Sequence, residues 1–417
     1  MQHLLEVWLF NHHVGNLDLT HGRIGFTYTQ EWLTHPQATA LSVSLPLIKE
    51  RFNDQQARPF FSGLLPEGDM RRILAKQYQI SKENDFALLD KIGGECAGAV
   101  TLLEPGQQKG IVDGSTQTEW LDEEQLISIL DELPHRPMMA GSDGLRLSLA
   151  GAQDKLPVVY DGTRIGLPKN GTPSSHILKP AIRSVEHSVM NEAFCMALAD
   201  QLKLGVAKTT AKTLQGRSFL LVERYDRYLD VNGVIHRLHQ EDFCQALGVV
   251  PEIKYQNEGG PGLAQCFDLV KQAIKPSAPS LLRLLDFVIF NALTGNHDAH
   301  GKNLSLLYEG SKATLTPYYD LLSTAIYPNL TDKMAMKIGS KYKFTELQAK
   351  HWDQFAESIG LSKAQTRKRI LSLANKLPKQ ARMLQDDNQF QFDKNELIQE
   401  IITLIESRCR LTIDRLT

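Results

Sequence analysis

The sequence lacks the features that mark several protein classes. Its five cysteines lie far apart and form no CxxC pair, which argues against a zinc ribbon or a disulfide framework and favours a reducing compartment. The formal net charge is only −2, so contact with nucleic acid requires a local basic patch. The N-terminus has no basic segment, and the most apolar later run, LLRLLDFVIFNAL, contains Arg283 and Asp286 and is too short to span a bilayer. We therefore expect a cytoplasmic protein that does not bind membranes.

The length of 417 residues predicts more than one domain. Residues 1–105 combine short strand-like runs with a helix-like stretch and are expected to form a small α+β domain. Residues 106–236 mix strands with one helical pattern, and residues 237–417 are mainly helical. A polar segment at 105–119 is the predicted linker. A β-rich region followed by a helical one, with a polar cluster early in the second, is suggestive of a kinase.

The stretch TGNHDAHGKN is that polar cluster, and it follows a long apolar helical pattern. Asp298 and Asn303 are five positions apart, and the next pair of strand-like runs ends at Asp320. Phosphoryl transfer from ATP requires a carboxylate near the attacking hydroxyl and oxygen ligands for Mg²⁺. Asp298 is the predicted base, and Asn303 and Asp320 are the predicted Mg²⁺ ligands. Lys302 and His300 are predicted to contact phosphates or substrate.

Two other interpretations of this stretch remain open. Asp298 and Asn303 are also residue types that commonly cap turns, and their spacing arises easily by chance. A zinc site built from His297, Asp298 and His300 is the second alternative. The paired histidines of HExxH are absent, however, and no nearby Cys or His completes a tetrahedral set.

Upstream segments contain candidates for the phosphate end of a nucleotide site. The loop LSLAGAQDK, residues 147–155, offers backbone amides around Gly151, although it has too few glycines for a GxGxxG or Walker motif. Lys179 lies in a strand-like run and is a candidate phosphate contact, with a solvated strand lysine as the alternative. Glu192 lies on a predicted helix and is a candidate partner of Lys179, or it faces solvent.

The run SFLLVERYD is expected to form a hinge between lobes. Backbone groups around Glu223 and Tyr225 would face adenine, and Asp226 is the candidate ribose contact. The order of loop, strand lysine, helix acid, hinge, catalytic loop and final aspartate is the chain order of a protein-kinase-like fold.

Together, seven segments resemble the HipA-like serine/threonine kinases, toxin components of bacterial toxin–antitoxin modules: SLAGAQDK, NGTPSSHILKP, VERYDR, QEDFCQALG, GGPG, HDAHGKN and TPYYD. The resemblance implies an α+β, two-lobed protein-kinase-like fold. It has a β-rich N-lobe, an all-α C-lobe and an extra small N-terminal α+β domain. Asn296 and His297 depart from the plainer residues expected before the catalytic aspartate. The C-terminal end of the chain contains no motif that we can place.

The resemblance also implies roles for individual residues. Asp298 would be the catalytic base, with Asn303 and Asp320 holding Mg²⁺. Ser148 would be an autophosphorylation site that switches the kinase off, because a phosphate adds negative charge beside the loop meant for ATP. A solvent-facing strand serine is the plainer alternative. The implied ATP contacts are Ala150, Gly151, Ala152, Gln153, Lys155, Lys179, Glu223, Tyr225, Asp226, His300 and Lys302.

The family further implies partners. These are a small HipB-like helix-turn-helix antitoxin, operator DNA bound through the antitoxin complex, and a protein substrate in translation such as an aminoacyl-tRNA synthetase. Residues 362–382 contain seven Lys/Arg and no Asp/Glu, so they could contact DNA phosphates, or they could form a solvated helix face. A small-molecule kinase of the same fold and a non-enzymatic scaffold for a DNA complex remain the rival functions.

Overall fold

The computed structural model describes residues 3–107, 117–387, 392 and 395–417. Residues 108–116 of the predicted linker lie outside the described residues. The strands are β1 His3–Leu9, β2 His12–Thr20, β3 Arg23–Tyr28, β4 Val100–Leu103, β5 Gln117–Trp120, β6 Leu156–Tyr160, β7 Ile165–Lys169, β8 His176–Pro180, β9 Thr209–Leu214, β10 Arg217–Glu223, β11 Arg227–Leu229, β12 Ile235–Arg237, β13 His239–Asp242, β14 Ser305–Glu309, β15 Lys312–Leu315, β16 Lys333–Ile338 and β17 Lys341–Lys343.

The other regular elements are α-helices and short 3₁₀ helices, and the α-helices occur along the whole chain. They are α1 Gln30–Leu33, α2 Asp54–Ser62, α3 Gly68–Gln77, α4 Asp85–Ile92, α5 Glu123–Glu132, α6 Ser188–Gln201, α7 Phe243–Ala246, α8 Leu263–Ala273, α9 Ala278–Thr294, α10 Ala349–Ser358, α11 Lys363–Gln385 and α12 Glu396–Leu416. Helices dominate the region after residue 237 as predicted, but strands β13 to β17 accompany them, so that region is not purely α-helical. Within the described residues, no helix combines the length and apolar composition needed to cross a bilayer.

The chain divides into two units that do not follow the sequence continuously. The first comprises Met1–Pro180, Lys212–Glu252 and Ser305–Ala313, and the second comprises Ala181–Ala211, Ile253–Leu304 and Thr314–Thr417. The predicted domain boundaries at 105/106 and 236/237 stay a prediction.

Two antiparallel sheets organise the first unit. The N-terminal sheet has the strand order β3-β2-β1-β4, and its inward residues pack with α2 and α4 around buried aromatic side chains such as Phe26 and Phe60. The second sheet has the order β5-β7-β6-β8-β10-β9. Its central strands β8 and β10 pair so that Lys179 lies opposite Leu220 and His176 lies opposite Glu223. This register places two predicted nucleotide contacts on neighbouring strands.

Helices α6, α9, α11 and α12 form the centre of the second unit. The 17-residue helix α9 is the most apolar of them, and all but its first residues are largely buried. It packs against α11 and α12, which also pack against each other and against α6. Burial on several sides explains why α9 reads as a nearly continuous apolar run. Its C-terminal end delivers the chain to the polar stretch that begins at Thr294.

A buried cluster of charges lies within the first unit and joins segments distant in sequence. Glu95, just before β4, accepts from Arg224 and Arg227 at 3.2 Å each and from Arg237 at 3.3 Å. Asp226 accepts from Arg224 at 2.7 and 2.9 Å and lies 3.0 Å from Arg227. Burial opposes ionisation of Glu95 and Asp226, but the arginines outweigh it and lower the pKa of both carboxyls.

A second buried carboxyl in this unit has a raised pKa, unlike Glu95 and Asp226. Glu241 on β13 accepts hydrogen bonds from the hydroxyls of Ser42 and Tyr308 and from the backbone N–H of Val43 at 2.9 Å. No cation contacts it among the described residues. Burial therefore dominates and raises the pKa of Glu241 to about 7.

We expect Glu95→Gln to lower the free energy of unfolding by about 3–5 kcal/mol, because it leaves the buried Arg224 and Arg227 with only Asp226 and removes the carboxylate that pairs with Arg237. Urea titration of the native chain and the variant measures the change. Asp131→Asn, which breaks the exposed pair with Arg217, is the control and should have a much smaller effect. Equal effects of the two substitutions would contradict a structural role for the buried cluster.

We also expect stability to depend on pH through Glu241. The folded-state pKa of about 7 is raised from 4.5, so between pH 4.5 and 7 the folded protein holds a proton that the unfolded chain has released. Stability relative to Glu241→Gln should therefore fall as pH rises through this window, by up to about 3 kcal/mol. Unfolding titrations of both proteins at several pH values test this. A difference that is constant between pH 4.5 and 7 would contradict it.

Candidate active site

A glycine at the end of α9 directs the chain into the candidate catalytic loop. Gly295 has a φ of 81°, and its N–H donates to the carbonyl of Asn291 at 3.0 Å, which closes the helix. A Cβ at this position would lie 2.8 Å from side-chain atoms of both Ala325 and Leu404. Glycine is therefore required both by the backbone conformation and by the space available.

Asn296 then ties the loop to its surroundings. Its buried Nδ2 donates to Asn291 Oδ1 at 2.8 Å and to the carbonyl of Asp320 at 3.3 Å. Its Oδ1 accepts the N–H of Asp298 at 3.1 Å. One amide thus connects the end of α9, the predicted base and the predicted metal ligand. The sequence showed Asn296 only as a departure from expectation; its position two residues before Asp298 was the available signal.

Asp298 is the exposed acidic group of this loop. About half of its side chain, 50%, is accessible, and Oδ1 accepts a hydrogen bond from the Tyr255 hydroxyl at 2.6 Å. The Nε2 atom of His300 lies 4.0 Å from the same oxygen, and the rings of His300 and Tyr255 meet edge to face at 5.3 Å. An oriented but accessible carboxylate can accept a proton from an incoming hydroxyl. Tyr255 was not among the predicted site residues.

The two predicted metal ligands lie together. Asn303 Nδ2 donates to Asp320 Oδ2 at 3.3 Å, and Asn303 Oδ1 accepts the N–H of His300 at 3.1 Å. Asp320 has a φ of 55°, a left-handed conformation that is uncommon for a residue other than glycine and is often found at functional sites. The loop therefore holds the amide and the carboxylate close to each other.

The donor set fits magnesium better than zinc. The zinc alternative requires a group of three or more His, Cys, Asp or Glu side chains that could hold a metal ion. The described residues contain no such group. Mg²⁺ is commonly bound by one or two protein oxygens and completes its shell with phosphate oxygens and water. Asn303 and Asp320 supply hard oxygen ligands of that kind.

His297 has a structural role in the loop. Its Nδ1 lies 2.9 Å from the carbonyl of Thr331, and its Nε2 lies 3.0 Å from Arg408 on α12. Burial lowers the pKa of His297. Burial also lowers the pKa of Arg408, to about 10, so its guanidinium is still protonated at neutral pH. Arg408 therefore donates to Nε2, and His297 donates from Nδ1. Arg408 also donates to the carbonyl of Ala292 at 2.7 Å.

Lys302 is also part of the loop. It is buried, and its carbonyl accepts from the Tyr319 hydroxyl at 2.8 Å. The second unit thus brings together all the residues predicted from TGNHDAHGKN and from the segment ending at Asp320.

The first unit contains the predicted phosphate loop. Ser148 is fully buried, its Oγ donates to the carbonyl of Leu64 at 2.8 Å, and its N–H donates to the carbonyl of Glu95 at 2.8 Å. It is therefore not a solvent-facing serine in this structure. Gly151 has a φ of 104°, and its carbonyl accepts from Glu67 at 3.0 Å.

Lys155 Nζ donates to the carbonyl of Ala150 at 2.7 Å, which folds the loop back on itself. Gln153 lies 3.4 Å from the carbonyl of Pro180, next to Lys179, whereas Ala152 is exposed. Lys179 is buried in β8, so it is not a solvated strand lysine. Its predicted pairing with Glu192, a buried residue of α6, stays a prediction.

The hinge segment requires one correction. Glu223 is exposed at the end of β10, and the Tyr225 hydroxyl donates to Gln240 at 2.5 Å; the roles of both residues as nucleotide contacts stay predictions. Asp226 does not fit a ribose contact. Its carboxylate is buried and accepts from Arg224 and from the N–H of Gly98 at 2.7 Å, so its oxygens are already engaged.

Comparison with known proteins covers both parts of the chain. A family model described as HipA N-terminal domain matches residues 5–103, and one described as HipA-like C-terminal domain matches residues 147–381. Y4mE, a proposed kinase of Sinorhizobium fredii, is 46% identical over 94% of this chain and 94% of its own. The serine/threonine-protein kinase toxin HipA of Shewanella oneidensis is 30% identical over 90% of this chain and 87% of its own.

The fold has a solved counterpart. A chain in the complex of HipA, HipB and operator DNA from Shewanella oneidensis MR-1 matches with a TM-score of 0.85 and 27% identity, covering 99% of this chain and 98% of that one. This likeness confirms the α+β, kinase-like fold predicted from the sequence. With both family models and a near full-length relative in agreement, the chain belongs to the HipA family of serine/threonine-protein kinase toxins.

Proposed function

We propose that this protein is a Mg·ATP-dependent serine/threonine kinase, the toxin of a toxin–antitoxin module. It acts in the cytoplasm, where it transfers phosphate to a protein of the translation machinery, such as an aminoacyl-tRNA synthetase. This phosphorylation arrests cell growth. The observation that carries this proposal is the loop that presents Asp298 to solvent while holding Asn303 against Asp320. These are the groups that phosphoryl transfer requires.

The proposed reaction assigns a role to each group. The acceptor hydroxyl attacks the γ-phosphorus of ATP, the bond to the β-phosphate oxygen breaks, ADP leaves, and the hydroxyl proton passes to Asp298. The hydrogen bond from Tyr255 holds one oxygen of Asp298 in place. Magnesium on Asn303 and Asp320 would screen the phosphate charge. Lys179, the amides near Gly151, and the segment at Glu223 and Tyr225 are the proposed nucleotide contacts of the first unit.

Ser148 is the proposed autophosphorylation site. Because its hydroxyl is buried and bonded to Leu64, the loop must leave this position before the hydroxyl can react. A phosphate of nearly two negative charges could not return to that buried place without a large desolvation cost. Phosphorylation would therefore keep the loop displaced and switch the kinase off.

The proposed partners follow from the relative that is solved with HipB and operator DNA. We propose a small helix-turn-helix antitoxin and, through it, operator DNA, with this protein acting as a corepressor. The basic stretch 362–382 lies on α11, where Lys363, Arg367, Arg369 and Arg382 pair with carboxylates. Those pairs reduce the charge available for DNA phosphates, so direct DNA contact stays a prediction.

Mass spectrometry after incubation with Mg·ATP tests the proposal. We expect one phosphate on Ser148 in the native chain and none in Asp298→Ala, because the variant has no base for the hydroxyl proton. ATP binding by both proteins, measured separately, is the control. If unphosphorylated native protein binds ATP but gains no mass, the result favours a small-molecule kinase over a protein kinase. If it fails to bind ATP, a scaffold is left as the better explanation.

Arg408→Met should slow phosphate transfer by about tenfold to a hundredfold with little change in ATP affinity, because the loop before Asp298 loses its contact with α12. Arg408→Lys should recover part of the rate. The matched control is Arg410→Met, an exposed position on the same helix. Rates are measured by single-turnover transfer. A loss of ATP affinity equal to the loss of rate would contradict a role in positioning the loop.

A further inference from the structure

A cleft of about 560 Å³ lies in the second unit, between α11, the segment after α6, and α9. Its volume is within the range of ligand sites in proteins. Its apolar lining is entirely leucine and includes the exposed Leu282: Leu202, Leu204, Leu282, Leu285, Leu361 and Leu373.

The lysines of the cleft differ from the paired basic residues of α11, one of which, Arg369, also lines the cleft. Lys368 and Lys376 on α11 and Lys203 from the opposite side are exposed. In the part of the chain that the structure describes, no carboxylate pairs with any of the three. The single acid of the lining, Asp286, is already held by Arg369 at 2.6 Å. The cleft therefore has an unbalanced positive charge above an apolar floor.

The spacing of these lysines limits what can bind. Lys368, Ser372 and Lys376 succeed one another every four residues and so form one stripe on the helix. Two helical turns separate the lysines, which is about 12 Å along the axis. A ligand with anionic groups separated by a comparable distance can pair with both lysines at once.

A buried polar atom adds a second observation. Thr366 also lines the cleft and is 1% exposed, and its Oγ1 has no hydrogen-bond partner among the residues that the structure describes. Buried hydroxyls are normally paired, so this one is a candidate to pair with a group of the occupant.

We propose that this cleft binds an acidic peptide segment of a partner protein, with aliphatic side chains on the leucine floor and carboxylates on the lysines. An extended peptide advances about 3.4 Å per residue, so carboxylates four residues apart match the lysine spacing. None of the described residues that line the cleft is aromatic, so bases have no stacking surface. The leucine floor is likewise unsuited to a phosphate backbone.

The probe is a fluorescent peptide of about eight residues in which glutamates alternate with leucines, long enough to span the two lysines. Its binding to the full chain is followed by polarisation. We expect saturable binding that weakens at least about tenfold when glutamine replaces its glutamates or serine replaces its leucines.

Protein variants locate the site. Lys368→Glu/Lys376→Glu should weaken binding by about tenfold or more, since each substitution turns an attraction into a repulsion. Lys337→Glu/Lys350→Glu makes the same change in net charge at exposed positions outside the cleft lining and should bind normally. Leu282→Gln should reduce binding towards that of the serine peptide. Circular dichroism confirms that each variant is folded.

Three outcomes would overturn the proposal. The first is no binding of the glutamate–leucine peptide. The second is equal loss in the two double variants, which would indicate bulk charge. The third is displacement of the peptide by a mixed-sequence DNA duplex combined with indifference to the leucines, which would indicate a nucleic-acid surface. None of these readouts depends on phosphate transfer.

Discussion

The burial of Glu95 among arginines is the constraint on which the first unit depends. Glu95, Asp226, Arg224 and Arg227 are buried, with Arg237 partly buried beside them, and ionised groups in such a place are tolerated only when they pair with one another. Glu95 comes from the part of the chain matched by the HipA N-terminal domain, and the arginines come from the part matched by the C-terminal domain. The charge cluster therefore joins the two family domains within one unit. Because the backbone of Glu95 also accepts from Ser148, the same residue positions the loop proposed to bind phosphate.

Carboxylates in this protein take their roles from their surroundings. Asp226 has its oxygens engaged by Arg224 and Gly98, which suits it to hold this segment of the chain in place but not to bind a ligand. Asp298 has one oxygen oriented by Tyr255 and half its side chain accessible, which suits it to exchange a proton. Glu241 is buried, and no cation contacts it among the described residues, so burial raises its pKa.

The end of the chain contributes to the candidate active site although it carries no recognisable motif. The matched C-terminal family domain ends at residue 381, and α12 lies beyond it. Arg408 of this helix nevertheless contacts His297, the neighbour of Asp298. The unexpected histidine before the catalytic aspartate is thus explained by a partner 111 residues away. Asn296, the other departure, is explained by its contacts with Asn291 and Asp320.

The sequence by itself determined the parts of the protein that depend on local spacing. Apolar periodicity predicted the long helices. The spacing of Asp298, Asn303 and Asp320 predicted a metal-assisted transfer loop; Asn303 donates to Asp320 in the fold, and the role of the loop stays a prediction. Lys179 was predicted on a strand and lies on β8. Only the tertiary structure decided which charged side chains are buried and which residues they pair with. The sequence does not show that Asp226 is buried, that Arg408 contacts His297, or that the lysines of the cleft beside α11 are exposed. Solvent exposure and pairing depend on residues that folding brings close from tens to hundreds of positions away.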